Sequence, residues 1–247
     1  QYANNEKGFV KYLLEDQPEP PAYFAMMKHL NKVDRPLLTE IPVLRKIAAA
    51  ELKEALLKGI KLIDARPKTE FAGGFIPGSI NIQGNNSFAT WAGWLLKYDE
   101  PFIILAPEDQ LNDLTRKLMR IGLDHIYGYV SSTQTWTEAG GALEKANILS
   151  LQETRELLAH NNVQLIDLRG AAEYNAGHIA NAENVFVGTL VDNLQKINKN
   201  KNVIIYCQSG DRSSIGYSLL LKNGFKNIAN FSGSIQEWVN AGEPIVT

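Results

Sequence analysis

The chain carries one cysteine, Cys207, among 247 residues. A single thiol excludes an intrachain disulfide and any thiolate metal cluster built from this chain alone. A reducing, cytoplasmic setting is the simplest expectation. Histidine is nearly as scarce. His29, His125, His160 and His178 stand apart with no ligand-like spacing, so neither a metal site nor a cofactor is expected. No apolar run reaches bilayer-spanning length, and no signal-peptide pattern opens the chain. Its first residue is Gln1 and not Met, which suggests that something upstream has been removed. Runs of one charge sign are also missing. With 25 Lys and Arg against 27 Asp and Glu, the formal net charge is -2. Nothing there points to nucleic acid or an anionic membrane, and small molecules or proteins are the expected partners.

What the chain does have is a repeat. Leu62-Ile-Asp-Ala-Arg-Pro-Lys-Thr-Glu-Phe71 returns as Leu165-Ile-Asp-Leu-Arg-Gly-Ala-Ala-Glu-Tyr174. Gly122 and Trp136 return with unchanged separation as Gly224 and Trp238, and Ala139-Gly140 returns as Ala241-Gly242. Two homologous units follow, over residues 39–145 and 146–247, behind a connector at 1–38.

Each unit has the same order of signals. A Leu/Ala-rich helical stretch comes first (Ala48 to Lys58; Leu151 to Ala159), and Ser150 with Glu153 is spaced as a capping box. A short apolar strand then ends in Asp-x-Arg. A second apolar run, Phe102 to Leu105 or Val203 to Tyr206, precedes an amphipathic helix that stops at Gly122 or Gly224. Strands alternating with helices predict an α/β fold in which each unit is a mainly parallel central sheet flanked by helices. Ligands bind at the carboxyl ends of such strands, which directs attention to the residues after Tyr206. In the connector, the Pro-rich stretch Glu15 to Pro21 reads as extended. Tyr23 to Leu30 reads as a short helix carrying Tyr23, Phe24, Met27 and Leu30.

Cys207 stands at the end of the apolar run Val203 to Tyr206 and opens the loop Gln208-Ser-Gly-Asp-Arg-Ser213, which leads into a helix. Backbone N–H groups of residues 208 to 212 can curl around the sulfur, and the positive end of the helix dipole adds to them, which favours a thiolate. Gly210 permits the tight curvature, and Arg212 can hold an anionic substrate or offset the sulfur's charge. A lone cysteine at an arbitrary position is most often a small buried hydrophobe. A polar loop between strand and helix argues against that here.

The chain at this point resembles the rhodanese family, whose active loop starts with a nucleophilic Cys, curls through a Gly and runs into a helix. Asp-x-Arg, the following Glu and aromatic, and Gly177-His178-Ile179 match that family's pattern. The resemblance implies a sulfurtransferase in which Cys207 takes sulfane sulfur from thiosulfate or a low-molecular-weight persulfide and passes it to cyanide or a thiol. Gln208, Ser209, Gly210, Asp211, Arg212 and Ser213 would line the substrate. Cys-based phosphatases use Cys, five residues, then Arg; here four residues separate Cys207 from Arg212, a smaller cradle that makes this reading the less favoured one. A non-catalytic interaction module is the other alternative.

The first unit has Ile104-Leu-Ala-Pro-Glu-Asp-Gln-Leu111 in place of the loop, with no Cys and no Arg, so it is expected to be an inactive partner. Asp167, Arg169 and Glu173 recur as Asp64, Arg66 and Glu70 in that inactive unit, which marks them as structural ion pairs at the strand-to-helix turn. His178 aligns with Phe75 and is expected to brace a loop, and Trp136 and Trp238 to anchor cores. Finally, Gln17-Pro-Glu-Pro-Pro-Ala-Tyr-Phe24 resembles the tail of a metallo-β-lactamase domain in persulfide dioxygenase–rhodanese fusions. That resemblance implies a partner domain absent from this chain.

Overall fold

The computed structural model describes residues 5–14, 20–21, 23–34, 40–159 and 162–247. His160, residues 15–19 of the stretch expected to be extended, and Ala22 lie outside the described residues. The chain opens with helix α1 (Glu6–Leu14), which the connector reading did not foresee, and α2 (Tyr23–Leu30), which it did. The first unit continues with α3 (Ala49–Leu57), β1 (Lys61–Asp64), α4 (Lys68–Gly73) and β2 (Ile80–Asn81). After these come α5 (Phe88–Leu95), β3 (Phe102–Leu105), α6 (Leu111–Arg120), β4 (Ile126–Val130) and α7 (Gln134–Glu138).

The second unit comprises β5 (Ile148–Leu149), α8 (Leu151–Leu158), β6 (Val163–Asp167), α9 (Ala171–Asn175) and β7 (Ala182–Asn184). It ends with β8 (Asn202–Tyr206), α10 (Asp211–Lys222), β9 (Ile228–Phe231) and α11 (Ser234–Asn240). Ser150 starts α8 through the capping box its spacing predicts: Glu153 N donates to Ser150 Oγ at 3.2 Å, and Ser150 N to Glu153 Oε2 at 2.8 Å.

Both sheets are parallel, with strand orders β2-β1-β3-β4 and β5-β9-β8-β6-β7. The α/β expectation therefore holds in both halves. From β6 the chain adds β7 on one side, then returns to add β8 and β9 on the other. The order reverses between β6 and β8, the place where parallel sheets open a crevice at their carboxyl ends. Asp167 at the end of β6 is paired in register with Tyr206 at the end of β8, so Arg169 and Cys207 emerge side by side at that crevice.

The two units do not hang separately. One apolar cluster contains Ile63, Phe88 and Leu114 of the first together with Ile166, Ile205 and Leu220 of the second. Phe186 of the second unit lies between Trp91 and Trp94 of the first, with ring centroids 6.2 and 5.3 Å away. Helix α10 docks on the end of β2: Ser214 Oγ donates to Asn81 Oδ1 at 2.6 Å, and Asn81 N donates to Ser218 Oγ at 3.2 Å. From the connector, Tyr23 packs against Gly93, and Leu30 against Gly122. Trp238 is buried and Trp136 half-buried; each indole N–H donates to the loop that follows it, at Pro244 O and Ala142 O, both 2.9 Å away. No helix among the described residues is long and apolar enough to cross a membrane.

Candidate functional site

Cys207 follows the last residue of β8, a central strand, and its side chain is buried, with 1% of the residue exposed. The loop bends back on itself at Gly210, whose φ of +99° suits glycine; an added Cβ would sit 2.5 Å from Ser232 O. That bend brings the Gly210 N–H onto the sulfur, with N to Sγ 3.1 Å. The 12-residue helix α10 starts at the next residue, so its positive end faces the same place. Meanwhile Ile235 N and Gln236 N donate to Cys207 O at 3.2 Å and Gln208 O at 3.1 Å, engaging the loop's carbonyls from α11.

A second group at the sulfur has no counterpart in the sequence-based expectation. Ser234 Oγ accepts from Cys207 N at 3.1 Å and lies 3.7 Å from Sγ. Its backbone has a φ of +59°, a left-handed conformation uncommon for a residue with a side chain and found more often where a site needs it. The hydroxyl proton can go to Sγ or to Phe231 O at 3.1 Å, and an anionic sulfur is the stronger acceptor. Replacing Ser234 with Ala should slow alkylation of Cys207 by iodoacetamide at neutral pH about fivefold, the equivalent of ~1 kcal/mol of hydrogen bonding. An unchanged rate would assign the hydroxyl to the backbone alone.

The charged residues of the loop are placed differently from the expectation. Arg212 does not face an open cradle; both of its terminal nitrogens bond Glu173, at 2.5 and 2.8 Å. Burial works against the Arg212 charge, but Glu173 and the nearby Cys207 outweigh it. Glu173 in turn is not part of the Asp167–Arg169 pair. It caps Gly170 N at 3.2 Å and reaches into the loop, and Arg212 holds its carboxyl below the usual range. Its role as a turn-closing ion pair is corrected accordingly, because the bidentate guanidinium is the better partner.

Asp211 points away from the sulfur, toward the first unit, where Lys68 Nζ lies 2.8 Å from one carboxylate oxygen and Asn85 Nδ2 lies 3.0 Å from the other. Burial opposes its ionisation, yet Lys68, Gln83 and Asn85 together hold it below the ordinary value. Both depressed carboxylates thus stabilise the loop above their ordinary titration range and lose that contribution as pH falls through the lowered values. Ser213 is buried, with Oγ on Gly210 O at 3.1 Å, so it shapes the loop and does not line a substrate. Gln208 and Ser209 are exposed. Gln208 borders a cavity of about 350 Å³ that Arg169, Glu173 and Gln236 also line.

Asp167 and Arg169 form the expected pair. Arg169 Nε and Nη2 bond the carboxylate at 2.6 to 3.0 Å, and Nη2 also donates to Gly177 O at 2.7 Å. Arg66 repeats this on Asp64 and Gly74 O in the first unit. His178 stacks on Tyr174 at 3.7 Å and bonds Tyr174 O, a bracing role. Among the described residues, no three His, Cys, Asp or Glu side chains gather as metal ligands would. The arrangement is a buried thiol met by a backbone amide, a hydroxyl and a helix N-terminus, three groups placed to meet negative charge that arises on the sulfur during a reaction.

Comparison with known proteins fits this geometry. The model of the rhodanese-like domain matches twice, at residues 48–139 and 150–241. A tRNA uridine(34) hydroxylase from Wigglesworthia glossinidia brevipalpis is 34% identical over 99 residues, which are 37% of this chain and 31% of that protein. A sulfurtransferase from Allochromatium vinosum is 32% identical over 93 residues, 38% of this chain and 87% of that protein. The match to a solved metallo-beta-lactamase from Staphylococcus aureus covers 51% of this chain and 35% of that one, at 31% identity and a TM-score of 0.45. The chain spans about a third of the length of the hydroxylases it matches. With both units matched across most of their length, the chain belongs to the rhodanese-like domain family.

Proposed function

We propose that the chain is a sulfurtransferase in which Cys207 carries sulfane sulfur. The observation that supports this reading most directly is the Gly210 N–H held 3.1 Å from a buried Sγ at the head of α10. In the first half-reaction the Cys207 thiolate attacks the outer sulfur of thiosulfate or of a low-molecular-weight persulfide. The Sγ–S bond forms as the donor's own S–S bond breaks, and its electron pair leaves with sulfite or the donor thiolate. In the second, cyanide or an acceptor thiolate attacks the outer sulfur of the Cys207 persulfide and returns the thiolate. Gly210 N–H, Ser234 Oγ and the α10 dipole stabilise the anion at each stage.

Two observations weigh against the rival readings. A phosphatase cradle sets five residues between its cysteine and arginine, whereas four separate Cys207 from Arg212, and Arg212 spends two of its five donors on Glu173. An interaction module would have no use for a thiol beneath a loop that hands it an amide and a hydroxyl. The first unit, with Pro107 and Glu108 where the second has its loop, is a non-carrying partner. A reducing, cytoplasmic setting suits the unpaired thiol. The resemblance of Gln17 to Phe24 to the tail of a metallo-β-lactamase domain is the ground for reading such a domain as a partner, with which the module would exchange sulfur.

Because no second cysteine is present, a persulfide on Cys207 has no internal thiol to resolve it. Transfer must pass through a free persulfidated enzyme, and initial rates with thiosulfate and cyanide should follow ping-pong kinetics, giving parallel double-reciprocal lines. Intersecting lines, which require donor and acceptor bound together, would rule out the carrier mechanism.

A further inference from the structure

Three polar side chains of the cysteine-free unit close on the Cys207 loop from outside its own domain. Lys68 Nζ donates to Ser209 O at 2.5 Å and to Asp211 Oδ1 at 2.8 Å. Asn85 Nδ2 donates to Asp211 Oδ2 at 3.0 Å, and Gln83 Oε1 accepts from Lys68 N at 2.8 Å. A Cβ on Gly210 would be 2.9 Å from Lys68 Nζ. The ammonium therefore rests against the residue whose amide touches the sulfur.

The repeat shows what these side chains are not for. Groups required by the strand-to-helix turn recur in both units: the Asp-x-Arg pair, and Asn81 or Asn184, whose amide spans the carbonyls of that Asp and Arg at 2.8 to 3.1 Å. Lys68, Gln83 and Asn85 do not recur. Their places in the second unit are taken by Ala171, Phe186 and Gly188. Turn geometry does not need them, so the contact they make across the domain boundary is their evident use.

Charge gives that contact a purpose. Asp211 sits in the first turn of α10, next to Gly210, whose N–H meets the sulfur, and it brings a negative charge to the loop although its carboxylate is turned toward the first unit. The other charges around the loop are balanced from within the second unit, Arg212 by Glu173 and Arg169 by Asp167. Asp211 alone takes its counter-charge from the first unit. We propose that Lys68 is a positioning residue for Cys207, through which the cysteine-free unit holds the loop at Ser209 and Asp211 and offsets the Asp211 charge next to Gly210, the residue whose N–H meets the sulfur. This builds on the carrier reading for its purpose but not for its test.

Cys207 is the single cysteine, so iodoacetamide alkylation of the full chain reports one site. At neutral pH, Lys68→Met should slow alkylation about threefold, and Asp211→Asn should speed it by a similar factor, magnitudes fitting a partly exposed ion pair. Lys68→Met combined with Asp211→Asn should return close to the wild-type rate, as should Lys68→Arg alone. The differences should vanish at alkaline pH, where the thiol is ionised in every variant, which a loop that is merely disordered would not reproduce. A wild-type rate for Lys68→Met at all pH values would overturn the proposal, as would a deficit that persists at alkaline pH or that Asp211→Asn does not reverse. If Lys68→Met does not fold, Asp211→Asn decides alone, and a rate at or below wild type rejects the proposal. Thiosulfate loading of the same samples separates the two readings: a wild type that takes up no sulfur yet shows this alkylation pattern sinks the carrier function and leaves the Lys68 role standing.

Discussion

A Cys207→Ser variant incubated with thiosulfate or glutathione persulfide should keep its intact mass, while the wild type gains one sulfur atom that cyanide then removes. The expected loss of transfer is complete, because the chain has no other thiol to take over and the first unit places Pro107 and Glu108 where a carrier would stand. Serine is nearly isosteric, so the loop should survive the change. It accepts the Gly210 N–H as sulfur does, but its hydroxyl is not ionised near neutral pH and is a poor nucleophile toward sulfur. Mass spectrometry of the two proteins side by side reads the outcome. A wild type that gains no sulfur from any sulfane donor would make the interaction module the better description.

The second large effect is on stability. Replacing Arg169 with Met should cost about 3–5 kcal/mol, read as a lower urea midpoint at unchanged slope, because it strands the Asp167 carboxylate in the interior. Asp167 is 0% exposed and Arg169 4%, and the guanidinium also satisfies Gly177 O. Arg66→Met should cost less, since the Arg66 side chain is 12% exposed against 5% for Arg169 and water can partly replace it. Equal losses at the two sites would mean that burial does not set the strength of these pairs.

The repeat, the parallel sheets and the placement of Cys207 at a strand's carboxyl end were legible because each rests on local pattern: apolar runs, a capping box, a glycine at a bend. The residues that meet the Cys207 loop from outside it were not. Ser234 comes from the start of α11, just after the neighbouring strand, and Ser132 occupies the matching position in the unit without a cysteine, so comparison of the repeats could not single it out. The strand order alone would have pointed to it, since β9 lies beside β8. Glu173 was read from its own turn, where it does cap Gly170, but its bond to Arg212 joins residues far apart in sequence and needs the fold to be seen. Lys68 and Asp211 meet only because α10 docks on β2.

The stretch between the two units is itself sewn to both. Phe75 and Glu144 exchange backbone hydrogen bonds at 2.9 and 3.0 Å, and Ala146 N donates to Ala72 O at 3.0 Å, all on the side of the first unit. One residue further on, Asn147 N donates to Tyr217 OH at 2.9 Å and Asn147 O accepts from Asn230 N at 2.8 Å, both on the side of the second. A linker bonded in this way is not a hinge. Opening the molecule at this seam would break those bonds together with the shared apolar cluster, so clamshell motion is not available as a route to the sulfur. In the proposed carrier reaction, donors and acceptors would come to Cys207 over the face where Gln208 and Ser209 lie exposed, and exchange would be gated by the local give of a few loop residues and not by the separation of two halves.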